Sequence, residues 1–149
     1  MINALPPLGG HYYNYFLLAN KNIIYIDFID TAGQEYYWSL NFTYVPHSDI
    51  IFLIYNISNF DSFRDCTILI NKIKNFIKNN QKVFILGNKY LEERKVSFEE
   101  GKNLAEKHGF IFTEISTSEN KNIKEVVEIS VGIALENKKN LKINSCFIF

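Results

Sequence analysis

At 149 residues, 47% of them hydrophobic and 21% charged, the sequence holds enough apolar material for one packed domain. Seven Gly, three Pro and two Cys exclude a disordered tail, a collagen repeat and a disulfide-stapled miniprotein. Sixteen basic side chains balance sixteen acidic ones, so no net charge favours nucleic acid or an anionic membrane over the whole surface. Cys66 and Cys146 have no metal-ligand spacing around them and point to a reducing compartment. The apolar run 50–55 is far too short to span a bilayer, and the first ten residues lack a secretory-signal pattern.

Residues 12–18 and 23–29 are β-rich runs joined by Ala19-Asn20-Lys21-Asn22, which predicts a hairpin because Asn tolerates left-handed turn geometry. Residues 50–55 and 82–86 are continuous apolar runs, the pattern of strands buried on both faces. Between them, Ile70, Ile73, Phe76 and Ile77 recur at helical spacing and predict a helix over 62–79, capped by Asp61 or Ser62. Ser97-Phe98-Glu99-Glu100 is a capping box opening a second helix, which Gly109 ends. A strand over 110–114 and a helix over 123–135 follow. This alternation predicts an α/β domain with a largely parallel sheet flanked by helices and a ligand beyond the carboxyl ends of the strands.

The chemistry-bearing segments fall at those strand ends. Asp30-Thr31-Ala32-Gly33-Gln34-Glu35 follows the second strand. An acid there can face a magnesium ion, Gly33 lets a backbone N–H approach a phosphate, and the Gln34 amide can both donate to and accept from an attacking water. Gly87-Asn88-Lys89 follows the strand 82–86, and Glu114-Ile115-Ser116-Thr117-Ser118 follows the strand 110–114. Trp38, Tyr36 and Tyr37 form an aromatic group that fits either a partner surface or packing against the next helix. His11, His47 and His108 show no ligand spacing among themselves.

Taken together these segments resemble the Ras-superfamily small GTPases, and more closely their Rab branch. Asp30 to Glu35 resembles the switch II box, and the run Ile51 to Phe63 resembles the Rab pattern of a buried strand leading to a Ser-Phe helix start. The resemblance implies GTP/GDP with Mg2+ as cofactors, with Asp30 facing the metal and Gln34 positioning the water. It implies Gly33 near the terminal phosphate, and Asn88, Lys89, Ser116 and Thr117 around the guanine base. It also implies effector and exchange proteins on residues 30–40 and a role in vesicle traffic. No nucleic-acid partner is expected.

The sequence departs from that family in definite places. No Gly-x-x-x-x-Gly-Lys-Ser/Thr phosphate loop is present, and Pro7-Leu8-Gly9 falls where the family has the Thr-Ile-Gly of switch I. The chain is therefore expected to lack the first strand, the phosphate loop and the first helix. Leu91 stands where the guanine box has an acid, or that acid is deleted along with a shorter loop after it, and Ser118 stands where the last loop has a lysine. Residues 1–136 are read as the GTPase-like domain, partial from switch I onward. Residues 137–149 are read as a flexible tail ending in Cys146-Phe147-Ile148-Phe149, a prenylation pattern with Cys146 as acceptor and Lys138, Lys139 and Lys142 upstream. That places the protein in the cytoplasm, on the cytoplasmic face of endomembranes. The alternatives are a non-catalytic interaction module and a non-functional fragment.

Overall fold

In the strand β3 (Ile50–Asn56), alternate side chains enter two different hydrophobic clusters. Ile51, Leu53 and Tyr55 join one, while Ile50 and Phe52 join the other. β4 (Lys82–Asn88) divides in the same way, with Val83 and Ile85 opposite Phe84 and Leu86. Strands with two apolar faces need a layer on each side. α2 (Phe60–Ile73) and α3 (Phe98–His108) supply one layer, through Cys66, Leu69, Ile70, Leu104 and Ala105. α4 (Ile123–Leu135) supplies the other through Val126 and Val131.

The computed structural model describes residues 10–19, 22–33, 35, 38–136 and 142–148; for 10–12, 14–19, 22, 40–41 and 142–148 it describes the backbone alone. β1 (Gly10–Ala19) and β2 (Asn22–Thr31) pair antiparallel along their whole length, from Gly10 opposite Thr31 to Ala19 opposite Asn22. Asn20 and Lys21, the expected turn, lie outside the described residues. β5 (Ile111–Ile115) and β6 (Lys142–Ile148) complete a sheet ordered β1-β2-β6-β3-β4-β5, in which every pairing beyond the hairpin is parallel. The α/β class expected from the sequence is met.

Of the stretch 137–149 expected to be a flexible tail, residues 142–148 form the strand β6 instead, and 137–141 and 149 lie outside the described residues. Residues 142–148 lie in the centre of the sheet, with Cys146 in register between Ile29 of β2 and Ile51 of β3. The physical reason is backbone satisfaction. Without a strand in that lane, β2 and β3 would each present a row of buried N–H and C=O groups to nothing. The tail carries Ile143, Phe147 and Ile148, enough β-compatible side chains to enter it.

Helix boundaries show how local chemistry decides. α2 begins at Phe60, two residues before a cap at Asp61 would allow and three before one at Ser62, because Asn59 is the cap: its Oδ1 accepts from the N–H of Asp61 at 2.9 Å and of Ser62 at 3.4 Å. Ser62 instead turns back to β3, its Oγ accepting from the Asn56 N–H at 3.0 Å. At its other end α2 stops at Ile73, and Phe76 N–H bonds the Ile73 carbonyl three residues back, so the apolar spacing through Ile77 continues as a turn. α3 opens on the expected capping box, with Ser97 Oγ accepting from Glu100 N–H and the Glu100 carboxylate accepting from Ser97 N–H. Gly109, at φ 68°, closes it in the left-handed conformation that glycine adopts without steric cost.

Candidate guanine-nucleotide site

Because β2, β6, β3, β4 and β5 run parallel, Thr31, Asn56, Asn88 and Ile115 end along one edge of the sheet. The segments singled out in the sequence therefore come together there. Asn88 is the last residue of β4, in register with Asn56 and Ile115, and is buried. Its backbone carbonyl accepts from Ile57 N–H at 3.1 Å. Its side chain reaches across to the loop after β5. Asn88 Oδ1 accepts from the Thr117 N–H at 3.1 Å, and Asn88 Nδ2 lies 3.1 Å from Thr117 Oγ1.

Ser116 completes the junction. It is buried, its Oγ donates to the Lys89 carbonyl at 3.0 Å, and it accepts from Glu119 N–H at 3.2 Å. Lys89 N–H donates to the Ile115 carbonyl at 2.8 Å, so the two loops are joined in both directions. The Lys89 side chain itself is exposed, free to lay its aliphatic stem over a flat ligand. The loop turns back through an antiparallel bridge between Ser116 and Lys121, helped by Asn120 and Asn122 at φ 51° and 61°. A small cavity of about 140 Å³ opens between Lys89, Ser116, Glu119 and Lys121. Lys121 Nζ bonds Glu119 at 2.7 Å, which holds that carboxyl below its ordinary value.

Two anchoring residues had no part in the sequence reading. Asn122 Nδ2 donates to the Glu114 carbonyl at 3.0 Å, and the left-handed Asn pair around Lys121 was the available signal. Arg94 grips the Glu114 carboxylate with two bonds of 2.7 and 2.8 Å, which raises the guanidinium pKa further. That pair joins residues 20 apart and has no local signature.

The other end of the edge carries the switch II segment. Asp30 is half-buried near the end of β2, in register with His11 on one side and Phe147 on the other. Gly33 follows and is exposed; Gln34, Tyr36 and Tyr37 lie outside the described residues. Trp38, which starts the single-turn α1 (Trp38–Asn41), is only 6% exposed. Its indole N–H donates to the Gly33 carbonyl at 3.0 Å, and Lys72 Nζ stands 4.6 Å above its ring while also pairing Glu35 at 3.2 Å. Of the two readings open for the aromatic group, Trp38 therefore takes the packing one.

Residues 8–135 match the Ras family. The chain belongs to the Ras family. Its relatives place it with the Rab-like members. It is 35% identical to the human Ras-related protein Rab-3A over 122 residues, 80% of this chain and 56% of that protein. Against human Rab-3D it is 38% identical over 109 residues, covering 72% and 50% respectively. The Ras-related protein RabC of Dictyostelium discoideum is 28% identical over 142 residues, covering 92% and 72%. The chain thus spans between about half and about three quarters of these relatives' lengths. The family match ends at Leu135, ahead of β6.

Ras-family membership implies GTP or GDP and Mg2+ in general, and the two halves of this edge fit them unequally. Asn88, Lys89, Ser116 and Thr117 form a joined polar platform at one end. At the other end Asp30 offers one carboxylate, and no group of three or more His, Cys, Asp or Glu gathers around a common point among the described residues. Such a single carboxylate holds Mg2+ only with phosphate oxygens completing the shell. Among the described residues no helix is long and apolar enough to cross a membrane.

Proposed function

We propose that this chain is a Rab-type guanine-nucleotide switch of vesicle traffic that carries the base platform and, as this sequence stands, binds nucleotide weakly. The observation that carries the reading is the Asn88–Thr117 and Ser116–Lys89 junction, which preorganises polar groups at the strand ends where a base edge would bond. Lys89 covers the base, Asp30 faces the metal, Gly33 approaches the terminal phosphate and Gln34 orients the attacking water. Magnesium bound with the phosphates supplies charge neutralisation in such sites.

This sequence shows neither a phosphate-loop motif nor the acid of the guanine box, and charge-assisted bonds of that kind contribute roughly 1.5–3 kcal/mol each. Losing more than about 6 kcal/mol lowers affinity on the order of ten-thousandfold. Nucleotide binding is weak and hydrolysis negligible on this reading. Effector and exchange proteins meet residues 30–40, and a prenyl group on Cys146 anchors the chain to the cytoplasmic face of an endomembrane. Anchoring through Cys146 requires β6 to leave the sheet, since its backbone is paired on both sides. Titration of the purified chain with fluorescent GDP tests the reading. Weak binding that Asn88→Ala abolishes supports it, and tight binding with GTP turnover at the rate of an intact small GTPase sinks it.

One observation favours a second reading, a nucleotide-independent interaction module. Glu35 and Trp38 are both tied to α2 through Lys72, and the Trp38 indole bonds back to Gly33, so protein contacts alone hold these residues against the helix. A partner captured equally well with and without GDP would favour this module.

A further inference from the structure

At the opposite edge of the sheet, where β4 and β5 begin, a cavity of about 470 Å³ lies between the end of α2, the start of β4 and the end of α3. Its volume is in the range of small-molecule sites. Lys74, Lys78 and Lys82 bring three ammonium groups to it, and His108 brings an imidazole. None of the lining residues carries a carboxylate. Among the described residues, none of these three lysines forms an ion pair. Lys78 Nζ donates one hydrogen to the Pro46 carbonyl at 2.7 Å and keeps two more. Uncompensated cations around one concavity raise the local concentration of anions.

The walls are fixed rather than pliable. Gln81 is buried, its amide nitrogen donating to the carbonyls of Val45 and Ser48 while its Oε1 accepts from Lys78 N–H at 2.5 Å. His108 stacks on Phe110 with ring centres 5.7 Å apart. Burial, then the neighbouring Lys107 and Lys74, holds the His108 imidazole below its ordinary pKa, so it meets a ligand mostly neutral and gains charge as an anion arrives. Val83, Phe110 and the exposed Ile111 add an apolar side to the same space. A Cβ added at Gly109 would touch nothing within 4 Å, which leaves that corner open to solvent.

We propose that this cavity is a binding site for a phosphate-bearing ligand, with Lys74, Lys78, Lys82 and His108 around the phosphate and the apolar wall against the remainder. It is separate from the guanine platform, since the two stand at opposite ends of β4. A soluble phosphomonoester and a phosphorylated lipid headgroup share this chemistry, and the probes separate them. The full chain is titrated with inorganic phosphate, with inositol trisphosphate, and with phosphatidylcholine vesicles with and without a phosphoinositide. The His108 ring protons are followed by NMR in the soluble arms.

Saturable binding is expected with inositol trisphosphate, with the His108 pKa moving upward as the site fills. Lys74→Glu/Lys82→Glu should weaken it at least about tenfold. Lys102→Glu, an exposed lysine on α3 away from the cavity, should leave it unchanged. Binding confined to phosphoinositide vesicles and lost in the same double variant identifies the lipid as the source. If the charge-reversed variant does not fold, Lys74→Gln/Lys82→Gln is read in its place. No saturable binding in any arm, or an equal loss in Lys102→Glu, overturns the proposal.

Discussion

Asn88 and Thr117 are 29 residues apart, yet the backbone N–H of Thr117 ends on the buried side-chain oxygen of Asn88 at 3.1 Å. One side chain thereby fixes the spacing of two loops that belong to different strands. Replacing it by alanine leaves the Thr117 N–H without its partner, which costs about 1–3 kcal/mol. Asn88→Ala should lower the urea midpoint accordingly, while Thr117→Ala, which keeps the backbone bond, should cost less. Equal stability of Asn88→Ala and the parent would remove the structural role assigned to this amide.

A second pair sets the distance between α3 and the sheet. The Tyr55 hydroxyl is a buried polar atom without a hydrogen-bond partner among the described residues. An added Cβ at Gly101 would stand 2.3 Å from it and 2.6 Å from the Phe112 ring. Gly101→Ala gains about 1 kcal/mol of helix propensity but forces both rings to shift, an overpacking that costs about 1–3 kcal/mol. A net loss is expected. Tyr55→Phe should raise stability by about 1 kcal/mol and relieve part of the Gly101→Ala defect. Additive effects in thermal melts of the double variant would refute the contact.

Alkaline pH should weaken the fold through two groups of the same sign. Burial pushes the Cys66 thiol from 9.0 up to about 12, and burial followed by the nearby Glu114 raises the Tyr55 hydroxyl above its ordinary 10.0. Above pH 9 the unfolded chain gives up the Cys66 proton while the native chain keeps it, so the native state binds more protons and stability falls as pH rises. Each group contributes a slope of at most about 1.4 kcal/mol per pH unit. Denaturant unfolding from about pH 8 to about pH 11 should show this decline, and Cys66→Ala should flatten its onset.

β6 makes the sheet continuous, so its removal is expected to be conspicuous. A chain ending at residue 140 leaves β2 and β3 with unpaired facing edges, and self-association should follow. Light scattering after size-exclusion chromatography reads the outcome. A monomer melting at the temperature of the full chain would mean that β6 contributes nothing to the native sheet. A synthetic peptide of residues 141–149 added back should restore the monomer, because the lane accepts a parallel strand.

Much of this was legible in the sequence, for reasons that are local. The continuous apolar runs 50–55 and 82–86, the Ser97–Glu100 box and Gly109 each carry their signal within a few residues, and so does the Asp30 to Glu35 segment. Asn88, Lys89, Ser116 and Thr117 stand out through the resemblance of their segments to the family's loops after those strands. What bonds to what was not legible: the Arg94–Glu114 grip, the Trp38–Lys72 stack and the cavity of three lysines and His108 join segments far apart in the chain.

The opening arithmetic described one domain's worth of core without net charge, and the sequence by itself determined the layers, both ends of α3 and the edge on which the conspicuous residues gather. Only the tertiary structure decided the fate of the last residues. Local composition read them as a tail, whereas the unpaired backbone of β2 and β3 draws in a strand wherever the chain can supply one, and that demand is a property of the assembled sheet.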